Sequence, residues 1–125
     1  MLDPNRARVA GRELQAKKIV LATGSRPAVP PIPGLAESGF IIHVEVFALE
    51  QMPGSLVVLE GGPIGIELAQ LFSRFGSKVT VIEMSDQVLP REDQEVSQVV
   101  AEILAQEGIT LVLGDKVTGV QSAVA

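Results

Sequence analysis

Cysteine is absent from this 125-residue chain, and so are tryptophan and tyrosine. Without a thiol there is no disulfide framework, no thiolate metal site and no thiol redox chemistry within it. Histidine is nearly absent too. His43 stands alone and has no second ligand near it in sequence, so it reads as a surface or capping residue, with no metal site in view. Basic charge is scarce: 10 Lys and Arg against 15 Asp and Glu leave a net charge of −5, with an isoelectric point near 4.8. That balance argues against nucleic acid or an anionic membrane as partner. No apolar run approaches the roughly 20 residues of a membrane span, and the N-terminus lacks a signal-peptide core, so a cytoplasmic location is expected. Ser25 has no nucleophile elbow around it and no base in register, which leaves nucleophilic catalysis without support.

The hydrophobic share is 46%, with four Phe as the only aromatics. The chain therefore suits one folded domain with a modest aliphatic core, as parallel α/β cores often are. Its most informative stretch runs from Ser55 to Glu83. Leu56-Val57-Val58-Leu59 is a short continuous apolar run, as expected of a parallel strand buried on both faces. Glu60-Gly61-Gly62-Pro63-Ile64-Gly65 follows, then a helical pattern, then a strand over Lys78–Glu83 that ends in an acid. A dinucleotide fold needs these parts in this order. Glycines let the backbone approach a pyrophosphate, a helix N-terminus faces the anion, and the strand-end carboxylate binds ribose hydroxyls. Glu83 follows Gly62 by 21 positions, close to the spacing of about 20 that the motif requires. One position departs from G-x-G-x-x-G: its first glycine is Glu60 here. A side chain in that tight turn strains the backbone, and a carboxylate repels phosphate, so weaker cofactor binding is expected.

The rest of the chain is organised around this unit. Arg8-Val9-Ala10 and Glu13-Leu14-Gln15 flank Gly11-Arg12 as a hairpin, and Lys17–Ala22 reads as a more apolar strand. Thr23–Gly34 carries Gly24, Pro27, Pro30, Pro31, Pro33 and Gly34, which predicts a stiff, extended loop. Val44–Leu49 predicts a helical turn. Ile64, Leu68, Leu71, Phe72 and Phe75 recur at helical spacing, with Pro63 at the first position and Gly76 as C-terminal cap. Val96, Val99, Val100, Ile103 and Leu104 repeat the pattern in a helix over Glu92–Glu107, with Glu92, Asp93 and Glu95 as its solvated start, Gly108 as its stop and a strand over Ile109–Leu113 beyond. Both sets are expected in the core. The fold class is thus α/β, a Rossmann-like βαβαβ parallel sheet with a short N-terminal strand segment and a Pro-rich linker.

Ala22-Thr23-Gly24-Ser25-Arg26-Pro27, Ile32-Pro33-Gly34, the run from Gly61 to Gln70, and Gly76 to Glu83 together resemble the pyridine nucleotide–disulfide oxidoreductases. Dihydrolipoamide dehydrogenases and mercuric reductases are the members most similar in feel, and Leu89-Pro90-Arg91-Glu92-Asp93 and Glu107-Gly108-Ile109 follow in the same order. The resemblance implies that residues 1–34 are the end of an FAD-domain segment and a linker, and residues 35–125 part of an NAD-binding Rossmann domain. It implies Gly61, Gly62, Pro63, Ile64 and Gly65 at the NAD pyrophosphate, Glu83 on the adenosine ribose, Glu67 near the nicotinamide, Val117 in the adenine pocket, and Thr23 and Gly24 at FAD. NAD(H) is favoured over NADP(H), because Glu83 would repel a 2′-phosphate. The redox cysteines, the FAD fingerprint and the acid–base histidine of the family are not in this sequence, so no catalytic residue is assigned and flavin is not expected to be retained. Two readings stay open. One is the NAD(H)-binding portion of a flavin-dependent oxidoreductase, not catalytic alone. The other is a non-catalytic, truncated Rossmann-like remnant acting through self-association. Partners are accordingly NAD(H) and either the remainder of a larger flavoenzyme or further copies of the chain. Whether the chain is a natural truncation, and its redox substrate, lie outside these residues.

Overall fold

The computed structural model describes residues 2–121; the last four positions of the expected 35–125 nucleotide domain lie outside them. Two sheets form. In the first, β1 (Arg6–Val9) pairs antiparallel with β2 (Arg12–Gln15). Ala10 and Gly11, at φ 48° and 80°, make the two-residue connection. Left-handed conformations at both positions are what a tight hairpin turn demands. The second sheet is parallel, in the order β3 (Ser55–Leu59), β4 (Lys78–Glu83), β5 (Thr110–Leu113). Its crossovers are α1 (Pro63–Arg74) and α2 (Gln94–Gln106).

The sheet shows why both helices lie on one side. Along β4, Val79, Val81 and Glu83 are buried while the residues between them are not. Val79 and Val81 share one face and pack in a single cluster with Ile66, Ala69 and Phe72 of α1 and Leu104 of α2. Right-handed crossovers that step along a sheet in one direction place their helices on the same face. The opposite face is only partly covered: Val57 is 58% exposed, and Leu59, Thr80 and Ile82 are half-buried, in contrast to the two-sided burial expected of β3 from its apolar run. Phe72, 1% exposed, is the largest core side chain, and its burial contributes roughly 2–3 kcal/mol.

Helical spacing caught part of the stripe of α1 that the sheet covers: Phe72 is buried and Leu68 packs against the core, as expected. Ile64 (54% exposed) and Phe75 (66%) point away, and Ile66, Ala69 and Phe72 fill the core. On α2, Val96, Val99 and Ile103 are exposed, and Ser97 and Leu104 are buried. Both helices carry more than one apolar arc, and periodicity alone does not say which arc meets the sheet. The strand expected over Lys17–Ala22 does not form; Val20 is 86% exposed. No described strand offers its backbone a partner, and an isolated extended segment is solvated by water. The turn expected at Val44–Leu49 is a 3₁₀ helix over Val46–Ala48, preceded by a second over Ala36–Ser38. His43 is half-buried just before Val44.

Candidate functional site

The site grows from the turn that ends β3. Glu60 leaves the strand at φ 82°, a left-handed conformation, and its N–H still donates to the Ile82 carbonyl of β4 at 2.9 Å. Gly61 comes next, and its carbonyl accepts from the Leu89 N–H at 2.8 Å. Gly62 is extended (φ −74°, ψ 176°) and caps α1 without any side-chain hydrogen bond, with Pro63 at the first helical position. The mouth of α1 is therefore open: its leading amides meet no side-chain cap among the described residues.

Each glycine has its own reason. A Cβ on Gly65 would overlap the Glu60 carbonyl oxygen and crowd Val58, so the helix can seat against β3 only with hydrogen there. A Cβ on Gly61 would meet the Glu83 side chain at 3.3 Å. A Cβ on Gly62 would meet nothing within 4 Å, because that residue faces the open space in front of the helix.

Glu83, at the end of β4, turns its carboxylate to this turn. Oε2 accepts from the Gly61 N–H at 2.7 Å, and Oε1 accepts from the Ser85 N–H at 2.8 Å. The residue is 7% exposed. Burial pushes its carboxyl up, but the backbone donors Ser85, Gly61 and Met84 together outweigh it and hold the group below its ordinary value. The Gly61 and Ser85 amides take two of the roughly four lone-pair positions of the carboxylate.

In front of these atoms lies a cavity of about 1050 Å³, at the upper end of the roughly 300–1,000 Å³ usual for ligand sites. It opens at the C-terminal ends of the parallel strands, where open α/β sheets bind ligands. Glu60, Gly62, Pro63 and Glu83 form one wall, and Leu89 to Glu92 form another. The third wall joins residues 115–118 to Pro30–Pro33. Backbone hydrogen bonds hold it at both ends, one of them from the Asp115 N–H to the Glu83 carbonyl at 3.3 Å. Gly114 N–H donates to the Ser85 carbonyl at 2.8 Å, bringing the segment after β5 across the end of β4. Val120 N–H donates to the Pro33 carbonyl at 2.8 Å, and Gly34, at φ 79°, lies so close that a Cβ would overlap the Val120 carbonyl.

Of the residues singled out from sequence, Gly62, Pro63, Glu83 and Val117 line the cavity, and Gly61 supports it through Glu83. Ile64, Gly65 and Glu67 sit farther along α1 and do not line it; Thr23 and Gly24 lie in an exposed irregular segment away from it. Sequence reasoning did not assign Pro30–Pro33, Leu89–Glu92, Asp115, Lys116 or Thr118 to the site. For Leu89 the signal was hidden. It is a leucine at φ 49° whose N–H is tied to Gly61, and neither fact is legible in a leucine codon. Among the described residues no cluster of His, Asp and Glu could hold a metal, and no helix is long and apolar enough to cross a membrane.

Comparison with known proteins identifies the family and the fold. The sequence profile of the family described as pyridine nucleotide-disulphide oxidoreductase matches residues 1–124. The chain is 43% identical to the dihydrolipoyl dehydrogenase of Mycoplasma pneumoniae over 122 residues, covering 94% of this chain and 27% of that protein. It is 37% identical to the mercuric reductase of Bacillus cereus, covering 90% of this chain and 18% of that protein. The solved structure of the HOCl-induced flavoprotein disulfide reductase RclA from Escherichia coli, as its Cu(II) complex, superposes with a TM-score of 0.75 at 36% identity, covering 95% of this chain and 28% of that one. The chain thus spans about a quarter of the length of such relatives.

Proposed function

This chain belongs to the pyridine nucleotide-disulphide oxidoreductase family, and on that premise we propose that its cavity takes the adenosine diphosphate half of NAD(H) for a flavin-dependent oxidoreductase. One observation carries the reading: the Glu83 carboxylate sits against the glycine turn at the open mouth of α1. An anion in front of Gly62 meets free helix amides and the positive end of the helix dipole. A ribose beside Glu83 finds an ionised acceptor. The same carboxylate disfavours a 2′-phosphate, so NADH is preferred to NADPH. Val117, half-buried on the third wall, gives the adenine an apolar surface. No residue here is given a catalytic role; the chain binds and orients the nucleotide, and hydride transfer belongs to a flavin held elsewhere in the functional enzyme.

Thermal unfolding with and without NADH tests this. A ligand present at a hundred times its Kd stabilises the native state by about 2.7 kcal/mol, which is a rise of roughly 8–12 °C for a domain of this size. No rise at millimolar NADH, or a larger rise with NADPH, overturns the proposal. A second reading, self-association, is favoured by the exposed apolar arc of Ile64, Leu71 and Phe75 on α1. Elution as a monomer at working concentration would remove it.

A further inference from the structure

We propose that Glu60 sets the phosphate tolerance of the cavity, acting as a built-in charge that weakens binding of multiply phosphorylated ligands; the inference rests on the nucleotide reading above. Glu60 occupies a left-handed turn position at φ 82°. Among the described residues Ala10 and Leu89 also have positive φ, at 48° and 49°, but angles of 72° to 94° are otherwise held by glycine, at Gly11, Gly24, Gly34, Gly39, Gly76, Gly108 and Gly114. A glutamate here strains the backbone where glycine would not. Glu60 is exposed and is among the residues that line the cavity, next to Gly62 and Pro63 at the mouth of α1 where a diphosphate would lie. Arg91 and Lys116 line the same cavity, but none of the ion pairs among the described residues involves Glu60. Its charge therefore has no ion-pair partner among the described residues.

The donors left for phosphate are few. The Gly61 N–H is taken by Glu83, and Pro63 has no N–H to give. Attraction rests on the amides of Gly62, Ile64 and Gly65 and on the Arg91 and Lys116 side chains of the lining, and Glu60 opposes it. A carboxylate about 7 Å from one phosphate charge in a water-like medium weakens binding about 2.7-fold, so two charges weaken it roughly sevenfold without screening and roughly fourfold at about 0.02 M salt. Screening removes most of that once the Debye length falls to a few ångströms.

Two variants separate charge from strain. Glu60→Gln keeps the left-handed side chain and removes the charge; Glu60→Gly removes both. Calorimetric titration with NADH at about 0.02 M and about 0.5 M salt should show Glu60→Gln binding roughly fourfold tighter than the parent at low salt and less than twofold tighter at high salt. Glu60→Gly should match that gain and also melt several degrees higher. Equal NADH affinity of parent and Glu60→Gln at low salt overturns the inference. So does a gain confined to Glu60→Gly at both salt concentrations, which would assign the effect to the backbone. If none of the three proteins binds NADH while Glu60→Gly still melts higher, the nucleotide reading has failed, and this inference falls with it.

Discussion

Gly62 and Gly65 stand three residues apart in the same turn of sequence, yet alanine at each should do opposite things. At Gly65 the new methyl group would fall within the 3.0 Å that real Cβ atoms keep from other atoms, and the obstacle is the Glu60 backbone carbonyl, which cannot rotate away. Helix α1 must then lift off β3, loosening the packing of Ile66, Ala69 and Phe72 on the sheet. Overpacking of this kind costs about 1–3 kcal/mol, and more than the mean is expected where the neighbour is backbone. The gain in helix propensity, about 1 kcal/mol for glycine to alanine, offsets part of it. A net loss of about 2 kcal/mol lowers the Tm by roughly 6–10 °C. At Gly62 the methyl group meets nothing within 4 Å. Its φ of −74° suits any residue, and the reduced freedom of the unfolded chain, worth about 0.4–1 kcal/mol, balances the poorer capping of alanine. The Tm should stay within about 3 °C of the parent, while NADH-induced stabilisation disappears because the methyl group occupies the approach to the helix amides. Differential scanning fluorimetry of both variants, with and without NADH, reads all four quantities. A Gly65→Ala protein that melts with the parent would refute the close-packing argument. A Gly62→Ala protein that binds NADH normally would refute the placement of the phosphate.

Glu83→Ala removes the acceptor for the Gly61 and Ser85 amides. With water from the cavity partly replacing it, the loss is about 2 kcal/mol, checked by urea unfolding; an unchanged midpoint would mean that the carboxylate does not hold the turn. The same group contributes to the acid limb of stability. Its folded carboxyl titrates below its ordinary value, so its contribution is complete above the unfolded pKa and is lost as pH falls through the folded one. Between about pH 5 and pH 3 the parent should therefore lose more stability than Glu83→Gln, the difference isolating Glu83 from Glu107, which Arg74 also holds low. Parallel curves would refute this. Gly34→Ala forces a side chain into φ 79° and against the Val120 carbonyl. Faster hydrogen exchange at the Val120 amide, with β4 unchanged, is the expected signature, and unaltered exchange there would show that the third wall of the cavity is not held at this point.

Much of the site was legible before any coordinate. The order of strand, glycine turn, helix and acid-tipped strand specified β3, α1 and β4, and the spacing between Gly62 and Glu83 paired the acid with the turn. These features are local: they depend on the 3.6- and 2-residue periods, on the absence of a proline N–H, and on glycine at helix ends. The anomaly at Glu60 was visible as well, because its strain follows from the turn position itself. Other features had no local signal. The sheet decided that Ile66 is buried and Ile64 is not, since both are isoleucines on a helix with two apolar arcs. The unpaired segment around Val20 read as a strand because apolar character is local, whereas a strand requires a neighbour. Leu89 and Pro30–Pro33 joined the cavity only through backbone contacts spanning tens of residues. Sequence by itself determined the order β3, α1, β4, α2, β5 and where the glycine turn and the acid lie within it. Tertiary structure alone decided which face is covered and which distant segments wall the cavity, because burial and hydrogen-bond pairing belong to two surfaces at once and one stretch of chain encodes only its own.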